Sequence, residues 1–131
     1  MSVDAIGNFL TIIRNGVMAS KSFVVAPYSK MNWNLAQILR DEGFIQSVVV
    51  ADANALRREI KILLKYVDGE SAIHEITRIS KPGCRHYSSI KQVKPVIDGL
   101  GVSILSTNRG VITHKKAKQL NVGGEVVCTV W

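Results

Sequence analysis

The chain has 131 residues, of which 47% are hydrophobic and 21% are charged. This length accommodates one ordinary domain or two very small ones, and the composition excludes disordered and fibrous proteins. Seventeen Lys and Arg residues outnumber ten Asp and Glu residues, and both halves of the chain share the resulting charge of +7. Such a charge favours a polyanionic partner, either nucleic acid or an acidic membrane surface.

The two cysteines, Cys84 and Cys128, are too few for a secreted disulfide framework and favour a reducing compartment. No basic region followed by an apolar run opens the sequence, so we expect no export signal and a cytoplasmic protein. No apolar run reaches the roughly 20 residues that cross a bilayer. His74, His86 and His114 are too scattered to indicate a metal site, and we expect neither metal nor cofactor.

The first half of the chain has the pattern of two amphipathic helices. Apolar residues recur at helical spacing over residues 4–19, which predicts the first helix. The short run 23–26 ends at Pro27 and predicts an edge strand. Ser29 is suited to cap a second helix, and Gly43 is suited to end it.

Residues 44–51 and 56–66 predict a β-hairpin. The first run is rich in β-branched residues, and the second alternates between apolar and charged side chains, as in a sheet with one wet face. A turn is expected at residues 52–54. The polar, turn-prone segment 68–71 follows, and we place the domain boundary there, giving domains at 1–66 and 67–131.

The second domain is predicted to be mainly β. Strands are expected at 72–79, 101–105 and 126–130, a turn at 95–99, and a short basic helix at 113–119 capped by Thr113. The expected fold class is therefore α+β in two small domains. Two helices and a three-stranded sheet form the first domain, and a mainly β domain with one short helix follows.

A loop at residues 80–87 has the composition of an RNA-binding segment. A Pro-Gly pair allows a tight turn, two cations reach phosphates, and two rings offer surfaces for stacking on bases. These residues are, in that order, Pro82, Gly83, Lys81, Arg85, His86 and Tyr87. An ordinary basic surface turn explains this segment, taken alone, almost as well.

A second loop, at residues 106–110, lies between a predicted strand and the Thr113 helix. Its hydroxyls and amide suit 2′-OH and base-edge contacts, its guanidinium suits a phosphate, and its glycine removes bulk. The members are Ser106, Thr107, Asn108, Arg109 and Gly110. The alternative is a capping loop whose hydroxyls bond only to its own backbone.

Cys84 and His86 allow an alternative function, because a thiolate beside an imidazole can act as a nucleophile. The chain would then be a small thiol-dependent enzyme with an acidic substrate. No partner for the imidazole and no oxyanion donor can be named, so an incidental loop cysteine is favoured. A further alternative is a protein–protein adaptor whose basic face meets an acidic partner.

Together, these segments resemble the bacterial-type small-subunit ribosomal protein eight family over the whole chain. The likeness is carried by IRNG at 13–16, ILRDEGFI at 38–45, RISKPG at 78–83, LSTNRGV at 105–111 and GGEVVC at 123–128. It implies a two-domain, non-enzymatic protein that binds the central domain of 16S ribosomal RNA and helps to assemble the platform of the small subunit. It also implies neighbouring ribosomal proteins, with proteins five and twelve expected, a monomer outside the ribosome, and a place in a cytoplasmic or organellar ribosome.

The resemblance assigns the principal RNA contacts to the second domain and secondary contacts to the first. In the second domain they are Ser80, Lys81, Pro82, Gly83, Arg85, Tyr87, Ser106, Thr107, Asn108, Gly123, Gly124 and Glu125, to which the loop composition adds Arg109 and Gly110. In the first domain they are Arg14, Asn15, Ser29 and Lys30.

Four positions in this pattern need an explanation. Cys84 and His86 stand where the family has bulky aliphatic residues, and His114 replaces a common acidic residue, which puts the role of the last helix in question. Glu125 is a carboxylate expected near phosphates. We expect it to orient backbone or to accept a hydrogen bond from a base amine or a 2′-OH.

Overall fold

The computed structural model describes residues 5–54, 57–88 and 101–131. The chain divides into two compact units, Met1–His74 and Glu75–Trp131. The turn predicted at 95–99 lies outside the described residues. Among the described helices, none is long and apolar enough to cross a membrane.

The two units divide after His74, beyond the segment 68–71 in which the sequence places the boundary. A small hairpin explains the difference. Strands β4, Tyr66–Val67, and β5, Glu70–Ser71, pair with each other. The Tyr66 hydroxyl donates to the carbonyl of Lys21 at 2.6 Å. These bonds keep residues just beyond 66 in the first unit.

Two helices of the first unit begin and end close to the residues that the sequence indicates. Helix α1 is Ala5–Met18 and helix α2 is Lys30–Asp41. The Ser29 hydroxyl caps α2 by accepting from the backbone N–H of Asn32 at 3.0 Å. Gly43, just past the end of α2, has a φ of +83°, which a residue with a side chain rarely adopts.

The sheet of the first unit has the antiparallel order β1-β3-β2. These strands are β1, Phe23–Pro27, β2, Ile45–Asn54, and β3, Arg57–Leu64. Strand β1 therefore lies at an edge, as predicted. The expected turn at 52–54 is instead part of β2, because these residues continue the ladder with a register irregularity near its end.

Helix α1 lies very close to strand β1, with Gly16 at the point of approach. A Cβ atom placed on Gly16 would be 2.3 Å from Cγ1 of Val24 and 3.2 Å from Cδ1 of Leu64. Phe9 and Ile13 of the same helix are fully buried. The face of β3 predicted to be apolar is the buried one, since Ile60, Ile62 and Leu64 are buried.

The second unit is mainly β with one short helix, as expected. Its elements are β6, Ile76–Arg78, β7, Tyr87–Ser88, β8, Val102–Thr107, β9, Gly110–Thr113, α3, His114–Leu120, and β10, Gly124–Val130. They form an antiparallel sheet of order β6-β10-β8-β9, with β7 also paired to β10. Strand β10 therefore pairs with β6, β7 and β8, whereas β9 pairs with β8.

Helix α3 forms although His114 departs from the family pattern. The Thr113 hydroxyl accepts from the backbone N–H of Lys116 at 3.3 Å, which confirms the predicted cap. Nδ1 of His114 accepts a hydrogen bond from the backbone N–H of Ser103 in β8 at 3.2 Å. The imidazole thus joins the start of α3 to the adjacent strand.

Candidate nucleic-acid interface

Segments that are distant in sequence meet at one end of the sheet of the second unit, which contains β10. They line a shallow, open cleft of about 480 Å³. The lining residues are Tyr87, Ser106, Thr107, Asn108, Val122, Gly123, Gly124 and Glu125. Seven of these eight are residues that the sequence selects, and Val122 is the one that it misses, since an apolar residue after a helix carries no binding signal.

The register of the sheet creates this grouping. Glu125 of β10 is paired with Tyr87 of β7 on one side and with Ser106 of β8 on the other, and Ser106 is paired with Val111 of β9. Directly opposed residues of antiparallel strands project to the same face. A phenol ring, a carboxylate and a hydroxyl therefore stand side by side, with Tyr87 70% exposed.

Ser80 closes the loop that precedes β7. Its side chain is only 1% exposed. The Ser80 hydroxyl accepts from the backbone N–H of His86 at 2.9 Å and donates to the carbonyl of His86 at 3.3 Å. The Ser80 hydroxyl therefore shapes the loop from inside rather than facing a ligand.

The tip of this loop is exposed and narrow. The backbones of Lys81 and Cys84 exchange two hydrogen bonds of 2.9 and 3.0 Å, which turn the chain through Pro82 and Gly83. All four residues are exposed. The tip therefore presents one cation on a tightly turned backbone, as the composition predicts.

An ion pair gives Glu125 a partner within the protein. Nη1 of Arg85 lies 2.9 Å from Oε1 of Glu125, with the side chains 49% and 17% exposed. The guanidinium compensates the carboxylate that would otherwise repel phosphates, and the carboxylate limits where the guanidinium lies. The sequence gives no signal for this pair, since the two residues are 40 positions apart.

The hairpin between β8 and β9 divides the second loop into two kinds of residue. The Thr107 hydroxyl donates to the carbonyl of Gly110 at 2.9 Å and accepts from the N–H of Arg109 at 3.0 Å. Thr107 therefore bonds to the backbone of its own loop, as the alternative interpretation of this segment expects. The hydroxyl of Ser106 makes no hydrogen bond to another described residue, and Asn108 and Arg109 are exposed.

The sequence does not predict strand β9, which changes the setting of this loop. The segment 106–110 lies between two paired strands instead of between a strand and a helix. Gly110 has a φ of +101°, so a side chain at this position would strain the turn. A paired hairpin holds Ser106 and Asn108 more rigidly than an open loop would.

Gly124 allows β8 and β10 to approach at the cleft. A Cβ atom on this residue would lie 2.3 Å from the carbonyl oxygen of Ser106 and 2.9 Å from Cγ2 of Thr107. Real Cβ atoms do not approach backbone oxygens so closely. Gly124 is therefore required by the geometry of the cleft, and Gly123 is exposed beside it.

The four predicted contacts of the first domain all belong to the first unit. Arg14 and Asn15 are exposed on α1, and Lys30 is exposed in the first turn of α2. The Ser29 hydroxyl is used by the α2 cap. On α3 of the second unit, Lys115, Lys116 and Lys118 are exposed, so this helix presents the basic face that the sequence predicts.

The two cysteines differ in environment. Sγ of Cys84 is exposed and lies 3.6 Å from Nε2 of His86. Burial raises the pKa of the Cys128 thiol to about 12, although the nearby Arg78 guanidinium lowers it. Within the described ranges, no group of three or more His, Cys, Asp or Glu side chains is arranged to hold a metal.

A disulfide reagent such as DTNB is expected to modify one thiol of the native protein at neutral pH. Cys84 reacts because it is exposed, whereas Cys128 is buried and stays protonated. Release of thionitrobenzoate measures the stoichiometry, and Cys84→Ser is expected to remove the fast phase. Two equally fast thiols in the native state would contradict the buried position of Cys128.

Comparison with known proteins places the chain in a family. Residues 4–131 match the family model described as Ribosomal protein S8. The chain belongs to the ribosomal protein S8 family. Its members include the small ribosomal subunit protein uS8 of Azorhizobium caulinodans, which is 46% identical over 128 residues, covering 98% of this chain and 97% of that protein. The uS8 proteins of Gluconacetobacter diazotrophicus and Rhizobium etli are 48% and 45% identical over the same length and coverage.

Membership of this family defines the general role of the chain. It is a structural constituent of the small ribosomal subunit, a particle of ribosomal RNA and ribosomal proteins, and it is not an enzyme. The thiol-enzyme interpretation of Cys84 and His86 is therefore set aside. Cys84 and His86 are two positions apart just after the turn between Lys81 and Cys84, and their side chains are in contact there.

Proposed function

We propose that the chain is a primary ribosomal RNA-binding protein that binds the central domain of 16S RNA and helps to assemble the platform of the small subunit. The observation that carries the proposal is the cleft, in which segments around Tyr87, Ser106 and Gly124 converge. Its ring, hydroxyl, amide and exposed backbone are the groups that recognise RNA by shape, stacking and 2′-OH contacts. The net charge of +7 supplies the salt-dependent part of the affinity.

The residues divide into those that contact RNA and those that position them. Direct contacts are proposed for Lys81, Pro82, Gly83, Arg85, Tyr87, Ser106, Asn108, Arg109, Gly123 and Gly124, with secondary contacts from Arg14, Asn15 and Lys30. Positioning through hydrogen bonds or backbone geometry is proposed for Ser80, Thr107, Gly110, Glu125 and Ser29. Every residue predicted from the sequence therefore has a role. Those that are buried, or already bonded within the protein, act indirectly by positioning the others.

The remaining partners follow from the family resemblance. We propose that ribosomal proteins five and twelve are neighbours in the subunit, that the chain is a monomer before assembly, and that the ribosome is cytoplasmic or organellar. Filter retention of central-domain RNA fragments over a salt series, with excess transfer RNA, tests the function. One fragment retained at high salt is expected. Equal loss of all fragments would reduce the protein to a non-specific basic domain.

Ser106→Ala is expected to weaken binding of the cognate fragment more than binding of an unrelated duplex. The hydroxyl lines the cleft and makes no hydrogen bond to another described residue, so its removal leaves the hairpin intact. A loss of roughly five- to tenfold on the cognate RNA corresponds to one hydrogen bond of ~1–1.4 kcal/mol. Ser22→Ala, an exposed serine of the first unit, is the matched control. Equal losses on both RNAs would contradict the assignment.

Arg85→Ala and Glu125→Ala are expected to be non-additive. Each substitution breaks the 2.9 Å ion pair, so each alone releases the other side chain from its position. The double variant should bind the cognate fragment about as tightly as the single variant that binds it less tightly. The interaction free energy between the two substitutions should be roughly 1 kcal/mol. Filter retention of the four proteins completes the cycle. Purely additive losses would show that Glu125 does not act through Arg85.

A further inference from the structure

A groove on the first unit shares one lining residue, Asn15, with the proposed RNA contacts and is otherwise not used by the proposed function. It has a volume of about 820 Å³ and runs along β1 beneath the C-terminal half of α1. Its walls include Ile12 and Ala19 on the helix side and Lys21, Phe23 and Val25 on the strand side. The groove therefore borders the edge of the β1-β3-β2 sheet that β3 does not cover.

The backbone of β1 presents hydrogen-bonding groups to this groove. Ser22 accepts from the N–H of Leu64, and Tyr28 donates to the carbonyl of Arg58, so even-numbered residues turn their backbone groups toward β3. In an antiparallel ladder the intervening residues turn theirs the other way. The N–H and C=O groups of Phe23 and Val25 thus point to the open edge, and neither residue bonds there to any described residue.

Pro27 occupies the next outward position and ends this row. It has no N–H, and its carbonyl accepts from Nδ2 of Asn32 at 3.2 Å. Among the described residues, this edge therefore presents a short, unpaired ladder of two donors and two acceptors. Phe23 and Val25, which bear it, are 44% and 41% exposed, which is unusual for large apolar side chains at an unpaired edge.

The charges around the groove select among possible occupants. Lys21 lines it, Nζ of Lys61 lies 4.3 Å from the centroid of the Phe23 ring, and no carboxylate belongs to the described residues that form its walls. A second copy of the chain would bring another charge of +7 to a basic rim. RNA would offer phosphate anions to the two N–H groups and 2′-hydroxyls to the two carbonyls, but only a peptide strand alternates N–H and C=O groups in the order of this ladder.

We propose that the β1 edge binds an extended, acidic segment of another protein, which adds to the sheet as a fourth strand. The alternating donors and acceptors of Phe23 and Val25 pair with its backbone, as in other cases of strand addition. One set of its side chains enters the groove under α1, and Lys21 attracts its carboxylates. This interaction surface lies on the first unit and is independent of the RNA cleft of the second.

The test uses the full-length, ¹⁵N-labelled protein and a capped peptide of alternating Glu and Val, about seven residues long. Amide hydrogen exchange is measured by NMR. Phe23 and Val25 are expected to exchange quickly in the free protein, and the peptide should slow both by about tenfold or more. A peptide in which Lys replaces every Glu should not. Unchanged exchange with the acidic peptide, or equal protection by both peptides, would overturn the proposal.

Val25→Pro tests the outward edge of β1 without changing its pairing with β3. It removes an outward N–H while leaving the bonds of β1 to β3, and Pro27 shows that the strand accepts proline at such a position. The variant should lose protection by the peptide, while Val25→Thr, which keeps the N–H, should retain it. Retention of RNA on filters should be unchanged in both variants, so failure here and failure of the proposed function are distinguishable.

Two further observations would overturn the acidic-peptide assignment. Protection of Phe23 and Val25 by a central-domain RNA fragment would make the groove an RNA site that extends from the secondary contact proposed for Asn15, which lines it. Protection that appears with rising protein concentration alone would make the groove an interface between copies of the chain.

Discussion

Gly124→Ala is expected to lose specific RNA retention and to destabilise the second unit. The new methyl group would stand 2.3 Å from the carbonyl oxygen of Ser106. A Cβ has no rotamer with which to avoid a backbone atom, so β8 and β10 must separate where the cleft forms. We expect at least about a tenfold loss of affinity for the cognate fragment, which is ~1.4 kcal/mol. Filter retention measures it.

The same substitution should lower the free energy of unfolding by ~1–3 kcal/mol, the usual cost of overpacking a tight contact. Gly83→Ala is the steric control, because a Cβ on Gly83 meets nothing within 4 Å. Urea denaturation should show Gly83→Ala close to the parent protein. Parent-like stability together with parent-like RNA retention in Gly124→Ala would show that β8 and β10 do not need to approach so closely.

Gly16→Ala is expected to destabilise the first unit, against the ordinary trend for helices. In an open helix this change stabilises by up to ~1 kcal/mol. Here the Cβ would lie 2.3 Å from Cγ1 of Val24, so the buried Val24 side chain must leave its rotamer or β1 must move away from α1. We expect a net loss of roughly 1–2 kcal/mol in the free energy of unfolding, since overpacking outweighs the gain in helix propensity.

Val24→Ala provides the compensating variant for Gly16→Ala. Alone it removes two methyl groups from a buried side chain and should cost stability. Combined with Gly16→Ala it makes room for the new Cβ, so the double variant should lose clearly less than the sum of the two single losses. Urea denaturation of the four proteins gives the coupling. Strict additivity would mean that Val24 is not what limits the approach of α1.

Local signals in the sequence are sufficient for the elements that depend on near neighbours. Ser29 and Thr113 cap their helices with bonds to residues three positions on, and Gly43 adopts the positive φ that ends α2. The alternation of residues 57–64 depends only on successive side chains pointing to opposite faces. Such patterns also identify the two loops, because their composition is informative wherever they lie.

Pairing between distant strands is not encoded in any local pattern, and it decides what each site residue does. The close approach at Gly124 depends on the register of β10 against β8 across the sheet. So does the pair of Arg85 and Glu125, which are brought together from 40 positions apart. Short strands of two to four residues carry too little alternation to be recognised without their partners.

The sequence by itself determined the fold class, the family and the residues from which an interface could be built. Only the tertiary structure decided which of their groups face the cleft. Ser80 and Thr107 have the same hydroxyl as Ser106, but their hydroxyls are hydrogen-bonded within the protein. A side chain can contact a ligand only if folding leaves its polar atoms exposed and unpaired, and that depends on neighbours that residue type does not reveal.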